Sequence, residues 1–236
     1  MNRRSLQTIR NDLVTSDCST VLSVEILNMK ISRRQLTGRA FALFAFYSCI
    51  CAFLYSQDVK DYNVFTEAEI RSLPYPIQIK LRYHLGGSQD PELGKIIDKY
   101  IKVYGVGFNT LHHYGKGLIY LQRYRKGAYT SEINRTFILG VTVNELSFIL
   151  DPKNHFESQP NFRSVYLYKI YCARGDTYFA LGKLPQAAND YISSIKIESS
   201  YSPAYLGLSE CYRKLGNLAE ADKILQILAS HVSKSK

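Results

Sequence analysis

Residues 175–195 read GDTYFALGKLPQAANDYISSI, and residues 209–228 read SECYRKLGNLAEADKILQIL. Shifted by 34 positions, the two stretches fall into register. Tyr171 meets Tyr205, Tyr178 meets Tyr212, Leu181-Gly182 meets Leu215-Gly216, and Ala187 meets Ala221. Tyr171, Tyr178, Leu181 and Leu208, Tyr212, Leu215 recur at three, four and seven, the spacing of one buried helix face. Gly182 and Gly216 stand where a turn must fall, because glycine accepts the left-handed backbone that closes a helix. Small residues (Gly175, Ser209, Ala187, Ala221) let helices approach, and Tyr171, Tyr178, Tyr191 and Leu225 fill the gaps. The expectation is an all-α chain with two helix–turn–helix units over residues 168–232.

A period of 34 with this content resembles the tetratricopeptide repeat family. The resemblance covers most of two units. It implies a right-handed α-solenoid whose groove, lined by the first helix of each unit, binds a protein or peptide. Two units alone bury too little of their faces, and about three are usually needed. Residues 106–152 are therefore read as an expanded earlier unit, with helices Asn109–Tyr124 and Ser131–Leu150 closed by Asp151-Pro152. Counting back from Pro152 leaves about eleven extra residues between those helices. Residues 57–105 are read as short helices leading into the array. One starts at a Thr66 cap and breaks at Leu73-Pro74-Tyr75-Pro76; Ile77–Leu85 and Leu93–Tyr104 follow around Gly86-Gly87. Segment 73–123, through Leu73-Pro74 and Leu111-His112-His113-Tyr114-x-x-Gly117-Leu118, is similar to a group of uncharacterised bacterial envelope tetratricopeptide proteins with a His-His-Tyr helix. That similarity brings no activity with it.

The N-terminal part reads as an address. Residues 1–28 are polar and without periodicity, a disordered stretch or an over-extended start. From Ala40 to Ser56 the chain runs AFALFAFYSCICAFLYS without a charge, preceded by MKISRRQLTGR from Met29. A positive flank, an apolar core and then a polar stretch is the order of a bacterial-type export signal. Ser32-Arg33-Arg34-Gln35-Leu36 partly resembles a twin-arginine signal. A membrane span needs about 20 apolar residues, so residues 29–56 are read either as a signal peptide or as a retained transmembrane anchor, inserted through residues 40–56. Both place the remainder on the periplasmic side of a bacterial envelope, secreted or anchored to the inner membrane.

Net charge is +10, from 30 basic and 20 acidic residues. Residues 1–39 alone supply +4, and the rest is spread thinly, with no basic run beyond Arg123-Tyr124-Arg125-Lys126. That distribution argues against nucleic acid as a partner, which calls for a concentrated basic stripe. The 19 tyrosines, 11 phenylalanines and absent tryptophan suit half-buried positions between packed helices. The five cysteines (Cys18, Cys49, Cys51, Cys172, Cys211) form no C-x-x-C pair and have no histidine at zinc-ligand spacing.

No residue is assigned a catalytic role, and no metal or cofactor is expected. His112 and His113 point about 100° apart on a helix and cannot chelate one metal as an i, i+4 pair could. One is expected to pack inside and the other to meet solvent. The candidate partner-binding groove collects His112, Tyr114 and Leu118, then Lys169, Asp176 and Phe179, then Glu210, Arg213 and Lys214. Cys172 and Asp176 stand where chaperone-tail-binding members of the family carry a cation or Asn and an Asn, so a carboxylate clamp is not expected. The reading is a non-enzymatic protein-binding scaffold. Two alternatives remain open. A small-ligand or glycan-binding protein would form a deep pocket around His112, Tyr114 and Tyr120. An enzyme would need an acid or base brought to His113 from residues 66–90, with Glu67, Glu69 and His84 the candidates.

Overall fold

The computed structural model describes residues 62–234; residues 1–28, 29–56 and the apolar run 40–56 lie outside the described residues. Every regular element among the described residues is helical. No helix among them is long and apolar enough to cross a membrane.

Four of the first five helices start where the sequence offers a cap or a proline. Helix α1 (Glu67–Arg71) opens on a capping box: the Glu69 amide donates to Thr66 Oγ1 (3.2 Å) and the Thr66 amide to Glu69 Oε2 (2.9 Å). Helix α2 (Tyr75–Leu85) carries Pro76 in its first turn, where a missing amide hydrogen costs nothing. Pro76 therefore opens this helix, while the break expected at residues 73–76 ends at Pro74. Helix α3 (Pro91–Tyr104) is capped by Asp90, and α5 (Glu132–Ile149) by Ser131. Between them lies α4 (Leu111–Arg125), which packs against α2 on one side and α5 on another. Two of its glycines permit this. A methyl on Gly115 would stand 2.9 Å from Ile77 of α2, and one on Gly117 2.9 Å from Leu146 of α5.

Four helices follow: α6 (Tyr168–Ala180), α7 (Leu184–Ile197), α8 (Ser202–Lys214) and α9 (Leu218–Lys234). A helical turn at Pro160–Phe162 and a π turn at Arg163–Leu167 lead directly into α6. Each helix packs on the next, and α4, α6 and α8 also contact one another in succession. The turns closing α6 and α8 repeat each other bond for bond at an offset of 34. Gly182 (φ 72°) donates to the Phe179 carbonyl and Lys183 to Tyr178; Gly216 (φ 79°) donates to Arg213 and Asn217 to Tyr212. This double bond around a left-handed glycine is the Schellman closure, which satisfies the last free carbonyls of a helix. The same closure ends α4, where Gly127 (φ 72°) donates to Tyr124 and Ala128 to Arg123.

The connection between α4 and α5 spans only residues 126–131, so the extra length of this region does not sit between its two helices as counted from Pro152. It lies after α5, in the 3-10 turns Pro152–Asn154 and Phe156–Ser158 and the run into α6. There Phe156, Phe162, Tyr166 and Leu167 are buried in the core that also holds Ile77, Leu81, Phe108, Leu111, Tyr120 and Leu146. These added residues thus fill core rather than forming an exposed loop. A second, smaller cluster joins α6 to α8 through Cys172, Ala187, Ala188, Tyr191, Ala204, Leu208 and Cys211.

Candidate functional site

Tyr191 of α7 governs how α6 and α8 stand side by side. It is 2% exposed, and its ring lies where a side chain on Gly175 or Gly207 would be; a methyl on Gly175 would sit 2.9 Å from it. Its hydroxyl donates to Asp176 Oδ1 (2.8 Å), and Arg125 Nη2 donates to the other oxygen of the same carboxylate (2.7 Å). Asp176 therefore ties α4, α6 and α7 together and is engaged inside the fold. Gly207, which the 34-residue comparison does not single out, is as necessary to this arrangement as Gly175.

The other residues expected in the groove divide into buried or half-buried and exposed ones. Tyr114 is buried, with burial raising its phenol pKa well above the ordinary value and Tyr201, Cys172, Tyr168 and Asp176 adding to the effect. Leu118 packs half-buried against the same core. Lys169 Nζ lies 5.3 Å from the centre of the Tyr168 ring, and Lys214 Nζ lies 4.5 Å from that of Phe179. Such cation–ring contacts leave the ammonium hydrated on its outer side. Glu210 and Arg213 are exposed, and Arg213 reaches Asp222 of α9 at 3.7 Å. Burial raises the thiol pKa of Cys172, and that of Cys211 to about 11. Neither is a ready nucleophile, since the thiolate is the reactive form.

His112 and His113 belong to a different constellation. The rings of His84, His112, His113 and Phe148 form a continuous column joining α2, α4 and α5. Successive centroids are 3.8, 4.1 and 4.3 Å apart. His113 Nδ1 lies 2.5 Å from Glu145 Oε2, and Lys116 Nζ lies 3.8 Å from Glu145 Oε1. His112 Nδ1 is 3.0 Å from the Asn109 carbonyl, so it donates there and keeps its hydrogen on that nitrogen. The expected division, one histidine inside and one outside, is not what forms: both are half-buried. Burial is the main force lowering the pKa of His112, to about 2, with His113, His84 and Lys116 reinforcing it. Burial, then Lys116, His113 and Lys80, lowers that of His84. Among the carboxylates anticipated near His113, Glu67 pairs with Arg71 and Arg82, and Glu69 with Arg123. Glu145, thirty-two residues along the chain, meets it instead.

His112, Tyr114 and Tyr120 do not line one cavity. Tyr120 is wholly buried, with its hydroxyl on Asn63 Oδ1 (2.6 Å), while Tyr114 faces α6. A pocket of about 280 Å³ opens elsewhere, between the end of α5 and the start of α6. Asp151, His155, Phe156, Glu157 and Tyr171 are among the residues lining it. No group of three His, Cys, Asp or Glu side chains among the described residues is arranged to hold a metal ion. Comparisons with known families, with curated proteins and with solved structures find no match to this chain.

Proposed function

We propose that the chain is a non-enzymatic protein-binding scaffold, a tetratricopeptide-type α-solenoid that takes a peptide or partner helix along α4, α6 and α8. The observation that carries this reading is the recurrence of one closure, two bonds around a left-handed glycine, at Gly127, Gly182 and Gly216. Each closure follows a helix of the α4, α6, α8 series, and those three helices stand next to one another. Apolar side chains (Leu206, Phe179) then offer affinity, and Lys169, Glu210, Arg213 and Lys214 set register. In the same proposal residues 29–56 deliver this domain to the periplasmic side of a bacterial envelope, by a cleaved signal or a retained anchor.

Photo-crosslinking in the native cell, followed by fractionation and intact-mass analysis, tests both parts. A crosslinker at Phe179 or Glu210 is expected to capture the same protein, and one at Ile133, exposed on α5, is not. Equal capture from all three positions, or none from the first two, overturns the groove reading. A chain recovered from the cytosol overturns export.

A further inference from the structure

The ring column carries more positive charge than the fold neutralises. Lys80 of α2 is 6% exposed, and its ammonium group has an amide oxygen, Asn109 Oδ1 at 3.2 Å, and the Tyr83 ring, but no carboxylate among the described residues. Burial accordingly lowers its pKa. The Lys116 side chain is 15% exposed and shares Glu145 with His113. The groups facing the column are thus Lys80 and His84 from α2, His112, His113 and Lys116 from α4, and Glu145 from α5. One carboxylate serves two fixed cations and three imidazoles. Desolvated cations are stable only when something opposes their charge. His84 makes no hydrogen bond among the described residues, and with Nδ1 of His112 held by Asn109, its Nε2 is the nitrogen left to serve a ligand.

We infer that the His84–His112 edge of the column is a binding site for a divalent oxyanion of the phosphate class, the missing counter-charge of this cluster. Lys80 and Lys116 supply a fixed positive field. The two imidazoles take up protons as the anion arrives and become its hydrogen-bond donors. A phosphate monoester matches the charge better than a single carboxylate, because Lys80 pairs with no carboxylate among the described residues and Lys116 shares its one, Glu145, with His113. The site uses none of Phe179, Glu210, Arg213 or Lys214, so it stands or falls apart from the proposed groove.

The test is calorimetric titration of the full chain with inorganic phosphate, and with sulfate, which stays divalent from pH 5.5 to 7.5. Chloride at equal ionic strength serves as control, and histidine ring resonances are followed alongside. Saturable binding is expected to shift His84 and His112, with sulfate affinity rising as pH falls by up to about tenfold per pH unit for each proton taken up, about a hundredfold when both rings protonate. His112→Phe keeps a ring in the column but removes its nitrogens, and Lys116→Gln removes a cation while keeping length. Each is expected to weaken binding at least about tenfold at unchanged helical content. Binding equalled by chloride, or retained in both variants, or sulfate binding that weakens as pH falls, overturns the assignment. Vesicles of phosphatidic acid in phosphatidylcholine identify the source. Co-sedimentation that His112→Phe abolishes assigns a lipid headgroup, and binding confined to soluble phosphate assigns a small phosphate ester.

Discussion

Helices α1 to α5 and helices α6 to α9 solve the same packing problem by different means. The C-terminal four rely on small residues and local closures: Ala187 and Ala221 are fully buried, and Gly175 and Gly207 admit one tyrosine. The earlier five rely on long-range polar clamps over a larger aromatic core. Arg123 donates to both oxygens of Glu69 and to the Tyr62 carbonyl, so it pins α1 and the preceding strand of chain to the end of α4. The contrast is one of emphasis, since Gly115 and Gly117 also admit close packing in the early half and Arg174 clamps both oxygens of Asp190 between α6 and α7 (2.8 Å): volume change is the chief vulnerability of the C-terminal half, loss of charge that of the earlier one.

Tyr191→Ala gives the largest expected effect. It empties the space between α6, α7 and α8 and frees Asp176, and thermal or urea unfolding should show a loss of about 3–5 kcal/mol. A loss under 1 kcal/mol would mean that the two helix pairs do not depend on this wedge. Next come Ala187→Leu and Ala221→Leu, each expected to cost about 1–3 kcal/mol by overpacking. Ala221 should be the cheaper, because α9 has no later helix among the described residues to hold it in place. Equal stability in both variants and the parent would break the 34-residue equivalence. Gly182→Ala and Gly127→Ala should each cost roughly 1 kcal/mol, since both glycines have φ of 72°. A clear inequality would separate the early unit from the later one.

The smallest effect at neutral pH sharpens the electrostatic side of the comparison. His112 titrates near 6.5 when unfolded and near 2 when folded, so the unfolded chain binds the proton first. Its contribution is present above pH 6.5 and is lost as pH falls below that value. His112→Phe should leave stability at pH 7.5 nearly unchanged and flatten the decline from pH 6.5 to 5. Glu69 acts lower down. The Arg123 hydrogen bond holds its carboxyl near 2 against an ordinary 4.5, so the clamp weakens as pH falls from 4.5 toward 2. An unchanged acid slope in His112→Phe would show that the column is not the sensor of the upper range.

Much of this architecture was legible in the residues. Thr66 and Ser131 announce helix starts, and Gly182 and Gly216 announce ends, because a cap or a Schellman closure involves groups only a few positions apart; the Asp90 cap, which starts α3 at Pro91 rather than at the expected Leu93, was passed over. The expanded earlier unit was legible as two helices but misplaced in its extra length. The aromatic residues after Pro152 carry no periodicity that distinguishes buried filler from loop. For the candidate site, register proposes Leu118, Lys169, Phe179, Glu210, Arg213 and Lys214 as partner contacts; Asp176 and Tyr114, proposed with them, are engaged within the fold. Gly207 could have been found from its spacing on the buried side of α8, next to Leu208 and Cys211.

By itself the sequence determined the helices, their closures, and the equivalence of α6–α7 with α8–α9. All of these rest on bonds and side-chain spacings within one turn or one helix pair. Only the tertiary structure decided that His84 stacks on His112, that Glu145 rather than Glu67 or Glu69 meets His113, and that Lys80 is buried with Asn109, and with no carboxylate among the described residues. Those contacts depend on the angle and rotation at which α2, α4 and α5 cross. That geometry is set by Ile77 against Gly115 and Leu146 against Gly117, a packing fit that no local spacing encodes.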